Sequence, residues 1–305
     1  MSEFHYCISG LTVACEFALP GAIALHSAPA SADVHVRIAV VAGTLEGGAA
    51  LGPNWDMVGE DFLLKVPRLA RFLMRAGREI LVGLEPEACA RDAGAYVLGT
   101  AFGILLHQRG ALVLHGSAVA RNGEAIAICG HSGAGKSTLA AALCGRGCSF
   151  ITDDLCAIAL DQDNRPVILP DGRQLKLWQE AIEKLDLSEH RGEAVLGRFE
   201  KYFIAPQEIA AAALPLRAIY VLQETRPPLA DGIEALSLPD AMHALDREAY
   251  RPGLRLKMGA RPELVLQGAK LLAQVKVFRL TRPRDFAKLP QTADAVLSHW
   301  TAPAP

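Results

Sequence analysis

The chain has 305 residues, enough for one large domain or two ordinary ones, and 51% of them are hydrophobic, so a substantial core can be buried. A formal net charge of −2 exerts no overall pull toward nucleic acid or an anionic membrane surface, so neither is an expected partner. Seven cysteines, an odd number with no C-x-x-C pair, read as buried free thiols of a reducing compartment rather than a zinc site.

The opening MSEFHYCISG carries no basic stretch ahead of an apolar one, so no signal peptide is expected and the setting reads as cytoplasmic. TVACEF (12–17) alternates roughly, and VHVRIAVV (34–41) has the period of two of a half-buried strand. Glycines and prolines from Gly43 to Pro53 read as a loop. FLLKVPRLARFLMRAGREILVGL (62–84) reads as short strands joined by turns, because Pro67 and Gly77 interrupt any long helix. AGAYVLGTAFGILL (93–106) is too short and too rich in glycine to span a bilayer, and is expected to be a buried helix within 87–108. The sequence therefore predicts a small β-rich N-terminal module, residues 1–110 with its linking helix, ahead of a mixed α/β domain at 111–305.

From residue 111 the pattern changes. ALVLHGSAVA (111–120) reads as one strand, Asn122-Gly123 as a hairpin turn, and AIAIC (125–129) as a fully apolar second strand. The glycine loop GHSGAGKST (130–138) follows, then an alanine-rich helix that GRGC (145–148) ends. SFIT (149–152) is a short strand running into Asp153 and Asp154. Further strands are expected at 215–223 and 275–280, with a helix starting near Pro239 between them and a closing helix at 290–300.

The loop satisfies G-x-x-x-x-G-K-[ST] through Gly130, Gly135, Lys136 and Ser137, with the required strand before it and helix after it. Backbone amides of Gly133, Ala134, Gly135, Lys136 and Ser137 can converge on phosphate oxygens at the positive end of the helix, and Gly130, Ser132 and Thr138 complete the expected nucleotide-binding set. Lys136 is expected to reach the β- and γ-phosphates of ATP, and the Ser137 hydroxyl to ligate Mg²⁺. His131 reads as a solvated loop side chain.

Asp153 and Asp154 come only 16 residues after Lys136, closer than the acidic strand of ordinary GTPases and ATPases. One carboxylate would ligate the metal, Asp154 in the first assignment, and the other would orient and deprotonate an attacking hydroxyl; the sequence leaves the division open. His115 lies on a neighbouring strand, where it could support the pair. Arg173, Lys201 and Arg251 are candidate cations for a γ-phosphate or a substrate carboxylate.

The stretch LHGSAVARNGEAIAICGHSGAGKSTLAAALCGRGCSFITDD (114–154) resembles the HPr serine kinase/phosphorylase family. The resemblance implies an α/β (α+β) P-loop kinase core related to phosphoenolpyruvate carboxykinases, with His115, Lys136, Ser137, Asp153 and Asp154 in the active site. The glutamate signature that follows in HPr kinases is not found, and PDGRQLKLWQEAIEKL (170–185) stands in its place. That order is similar to the shorter HPr-kinase-like proteins of lasso-peptide biosynthesis, which implies phosphorylation of the C-terminal serine of a precursor peptide. The expectation is an ATP- and Mg²⁺-dependent serine kinase acting on a peptide or small protein, with homo-oligomerisation left open. The alternatives are an HPr-type regulatory kinase acting on a phosphocarrier protein, and a module that uses nucleotide only as a switch. No N-K-x-D-type guanine reader is visible.

Overall fold

The computed structural model describes residues 3–47, 49–195, 200–227, 229–259 and 262–302. Two large sheets follow one another along the chain. In the first, eight strands run in the order Phe4–Ile8, Leu11–Cys15, Val34–Ile38, Glu79–Leu84, Ala70–Arg75, Asp61–Val66, Trp55–Val58 and Ala49–Gly52. The last of these falls inside the expected loop 43–53, where it pairs antiparallel with Trp55–Val58. Ala76 and Gly77, both at positive φ, turn the chain tightly between Ala70–Arg75 and Glu79–Leu84. Period-two alternation sends Phe72, Met74, Ile80 and Val82 to one face, where they are buried against Leu98, Phe102 and Leu105.

Those last three residues belong to the expected helix 87–108, which the structure divides. Two α-helices, Ala90–Tyr96 and Phe102–Gln108, flank a π-helical turn at Val97–Ala101. The widened turn leaves the Leu98 carbonyl to accept a 2.8 Å bond from Arg173 Nη1. Gly103 lies against the Tyr250 ring, where any Cβ would collide.

The second sheet has the mixed α/β arrangement that the P-loop pattern requires. Its long strand Leu214–Glu224 runs parallel to Glu124–Cys129 on one side and to Lys276–Arg282 on the other. The helices Lys136–Cys144 and Leu289–Thr301 bury Leu139, Leu143, Val296 and Trp300 on one face. Leu238–Glu248 and Pro262–Leu272 bury Ala244, Leu245 and Leu271 on the other. The strand expected over 111–120 is instead two, Leu112–Leu114 and Gly116–Arg121, broken at His115. Gly116 lets the second of these strands approach its neighbour closely: a Cβ there would stand 2.8 Å from the Ile128 carbonyl oxygen. Leu112–Leu114 pairs with Cys156–Leu160, whereas Gly116–Arg121 lies between Glu124–Cys129 and Ser149–Asp153. Asn122 and Gly123, at φ 52° and 80°, close the expected hairpin.

A third sheet, not expected from sequence, joins Leu175–Trp178, Lys201–Ile204 and Arg191–Ala194. It brings Lys176 and Lys201 over the glycine loop. Among the described residues no helix is long and apolar enough to cross a membrane. No disulfide links the cysteines; Cys15, Cys129, Cys148 and Cys156 are buried, while Cys89 is exposed.

Candidate active site

The glycine loop leaves the sheet at Cys129 and enters the helix at Lys136. Gly133 at φ 80° and Gly135 at φ 87° adopt left-handed conformations that a side chain would strain, which is why the motif needs glycine there. Gly135 caps the helix without any side-chain acceptor, so the first-turn amides stay available to an anion. Lys136 is buried, and its Nζ donates to the carbonyls of Gly130 (2.8 Å) and His131 (3.2 Å). Burial pushes its ammonium below the usual lysine range, with the Asp153 charge opposing that shift. His131 is exposed, as expected of a solvated loop residue.

The two aspartates separate clearly. Asp153 is 4% exposed, and its Oδ1 accepts from Ser137 Oγ (2.8 Å) and Ser117 Oγ (2.6 Å). Its Oδ2 accepts from the Lys176 amide at 3.2 Å. Asp154 turns away at φ 80°, with Oδ2 3.1 Å from Lys176 Nζ and Oδ1 3.5 Å from His115 Nδ1. Burial pushes the Asp154 carboxyl up, but the Lys176 and His115 charges outweigh that and hold it well below the usual carboxylate range. The metal is expected at Ser137 with Asp154, but the hydrogen bond joins Ser137 to the other acid. The acid beside Ser137 is Asp153, because the strand's alternation turns its side chain toward the helix start and leaves Asp154 to the turn beyond.

Ser137 and Asp153 present hard oxygen donors side by side, which suits Mg²⁺, an ion that takes one or two protein oxygens together with phosphate oxygens. Among the described residues no group of three or more His, Cys, Asp or Glu gathers to hold a metal, here or elsewhere.

Two cavities open on this centre. One, of about 600 Å³, is lined by the loop residues 132–138, Asp153, Trp178, Lys201 and Arg282. The other, of about 490 Å³, is lined by Leu98, Thr100, Phe203, Glu248, Tyr250 and Arg251. His115, Asp154 and Lys176 border both.

The three candidate substrate cations fall in different places. Lys201 lines the loop-side cavity, with its Nζ 5.9 Å from the Trp178 ring centroid. Arg251 lines the second cavity and donates to Thr100 Oγ1 at 2.7 Å. Arg173 borders neither. It is 1% exposed and forms an ion pair with Asp171, with further bonds to Leu98 O, Ser9 Oγ (3.1 Å) and Leu155 O (3.4 Å). Its guanidinium is consumed by this buried network, so the expectation of a substrate contact is corrected to a structural role.

Sequence reading missed Lys176 and Arg282. Lys176 was findable: in QLKLW the alternation buries Leu175 and Leu177 and sends the lysine to the other face. For Arg282, at the end of a strand 146 residues beyond Lys136, no local signal exists.

A protein-family model described as ABC transporter matches residues 117–149, the stretch holding the hairpin, the loop and its helix. No curated protein matches. Among solved structures, the Hpr(Ser) kinase/phosphatase from Coxiella burnetii is similar at 15% identity and a TM-score of 0.35. That alignment covers 61% of this chain and 89% of the other. By the geometry of residues 130–138 and their acid partner, the site is that of a P-loop nucleotide-binding protein.

Proposed function

We propose that the protein is an ATP- and Mg²⁺-dependent kinase that phosphorylates a serine hydroxyl of a peptide. The supporting observation is that two cavities, one along loop residues 132–138 and one that starts at Gly130 and His131 and runs away from the loop to Tyr250 and Arg251, meet at His115, Asp154 and Lys176. A transferase needs a donor site and an acceptor site that share one wall; a nucleotide-operated switch needs only the first. On this reading residues 111–305 form the catalytic domain and residues 1–110 a module that supports it.

The loop amides and Lys136 bind the triphosphate, while Ser137 and Asp153 would hold Mg²⁺, which supplies charge neutralisation at the phosphates. Asp154 accepts the acceptor's hydroxyl proton, and His115 and Lys176 orient its carboxylate. The bond between the γ-phosphorus and the β-bridging oxygen breaks, with its electron pair remaining on ADP. A new bond forms from the γ-phosphorus to the serine oxygen, and the proton passes from Asp154 to water. A carboxylate held strongly ionised is a weak base, which suits a loose transition state in which proton transfer comes late. Lys201 and Arg251 are the remaining candidates for substrate contacts.

The specific acceptor proposed is the C-terminal serine of a lasso-type precursor peptide. Mass spectrometry after incubation with Mg-ATP tests this against an HPr protein. Phosphate on the terminal serine supports the reading, and phosphate on HPr alone replaces the acceptor. Acceptor-independent hydrolysis with neither modified would sink the kinase.

A further inference from the structure

Besides Lys176 and Lys201, the loop-side cavity is lined by two arginines that the P-loop motif does not account for. Arg282 ends the strand Lys276–Arg282 and is 8% exposed, and Arg284 stands at the surface two residues later. Both reach the glycine loop. Arg282 Nη2 donates to the Ala134 carbonyl at 2.6 Å, and a Cβ on Gly135 would collide with it. Arg284 Nη2 lies 3.8 Å from where a Cβ of Gly133 would stand.

Neither guanidinium has a carboxylate partner among the described residues. The contrast within the same strand is plain, since Arg279 pairs with Glu234 at 2.6 Å. Of the nearby acids, Asp285 accepts from the Ala287 amide at 2.9 Å, and Glu224, opposite Arg282 on the neighbouring strand, pairs with Arg226 at 2.7 Å. Arg282 Nε is buried without any partner among the described residues. Burial and then the charge of Arg284 push Arg282 below its ordinary range, so the two cations disfavour each other. A buried charge without a counter-charge is costly, and Arg282, with the exposed guanidinium of Arg284 beside it against a phosphate-binding loop, calls for an anion that bridges the two. Pro283, with its fixed φ, holds the pair in that relation.

We infer that Arg282 and Arg284 are the side-chain half of the phosphate cradle: Arg284 is a catalytic arginine that contacts the terminal phosphoryl group, and Arg282 is a positioning residue that ties the loop beneath it. The inference rests on the nucleotide reading above and adds to it the means of telling a triphosphate from a diphosphate. During transfer the bonds change as already described. Arg284 gains and loses no proton; it offsets charge on the phosphoryl oxygens as the bond to the leaving oxygen breaks.

The test is equilibrium binding of fluorescent ATP and ADP analogues, with Mg²⁺, to the wild type and to Arg284→Gln, Arg284→Lys and Arg282→Gln. Arg284 is exposed, so its variants should fold, which thermal melting checks. The wild type should prefer ATP, and Arg284→Gln should erase that preference by about tenfold or more while ADP binding changes little. Arg284→Lys should recover only part, because an ammonium lacks the planar fork. Arg282→Gln should weaken both nucleotides together. An unchanged ATP-to-ADP ratio in Arg284→Gln overturns the inference, as does a wild type that binds neither nucleotide. Loss of the preference in a protein that phosphorylates no acceptor would leave Arg284 as the contact to the terminal phosphate and remove its catalytic role together with the kinase reading.

Discussion

Ser137 and Asp153 are joined by a 2.8 Å hydrogen bond that closes the gap between the first turn of the loop helix and the end of the acid strand. The bond depends on the hairpin. Gly116–Arg121 lies between the loop strand and the acid strand, so the acid strand ends level with the helix start. Ser117, on that hairpin strand, adds a second hydroxyl to the same carboxylate oxygen. Asp153 is thereby fixed in one orientation.

Asp153→Asn should therefore abolish the strengthening of nucleotide binding by Mg²⁺. The amide keeps the size of the side chain but not its charge or both acceptor oxygens. Titration of nucleotide with and without Mg²⁺ checks this. An Asp153→Asn protein that still binds Mg-nucleotide tenfold better than free nucleotide would return the metal to Asp154.

Asp154 differs, and its pH behaviour follows from its neighbours. Its folded pKa lies below the unfolded value of about 3.9, so its contribution to stability is present above that value and lost as pH falls through the folded one. Between about pH 5 and 8 it stays ionised, and no acid limb of the rate should come from it. Lys176→Met removes the larger of the two favourable charges and leaves burial opposed by His115 and more distant cations. The Asp154 carboxyl should then rise, and an acid limb of kcat/KM that the wild type does not owe to Asp154 should appear. A pH–rate profile of both proteins checks it, and superimposable acid limbs would refute it.

The glycine loop, the Asp-Asp strand and the hairpin were legible because each is local: a spacing, a pair of acids after an apolar run, an Asn-Gly turn. The partition of Asp153 and Asp154 was not, since it depends on which face of the strand meets the helix, and adjacent residues look alike until register is known. Arg173 misled because DGR reads as a polar turn; only the fold shows Ser9, Leu98 and Leu155 converging on its guanidinium. The strand break at His115 was hidden because Leu114 and Gly116 both suit a continuous strand. The π-helical turn at Val97–Ala101 has no sequence signature beyond Gly99.

Arg173→Met should destabilise the protein by about 3–5 kcal/mol, because it leaves the Asp171 carboxylate buried and unpaired. The double variant Asp171→Asn, Arg173→Met should cost less than the single one. Denaturant unfolding of the three proteins checks the order. Activity of the folded fraction should also drop, since Arg173 and Thr152 both donate to the Leu155 carbonyl just beyond Asp154. A single variant as stable as the wild type would show that the network is not needed.

Gly103→Ala separates the two cavities. A helical glycine exchanged for alanine gains about 1 kcal/mol in propensity, but this Cβ would run into the Tyr250 ring. That ring borders the second cavity, with its centroid 6.0 Å from the centroid of His115, and is not part of the first cavity, which loop residues 132–138 line. The alanine must therefore push Tyr250 toward the acceptor side of the site. The expected outcome is a higher KM for the hydroxyl acceptor, by about tenfold, with nucleotide affinity within twofold of the wild type. Steady-state kinetics on the acceptor, with nucleotide binding measured separately, checks it. Equal losses for both substrates would mean that the two cavities do not divide donor from acceptor.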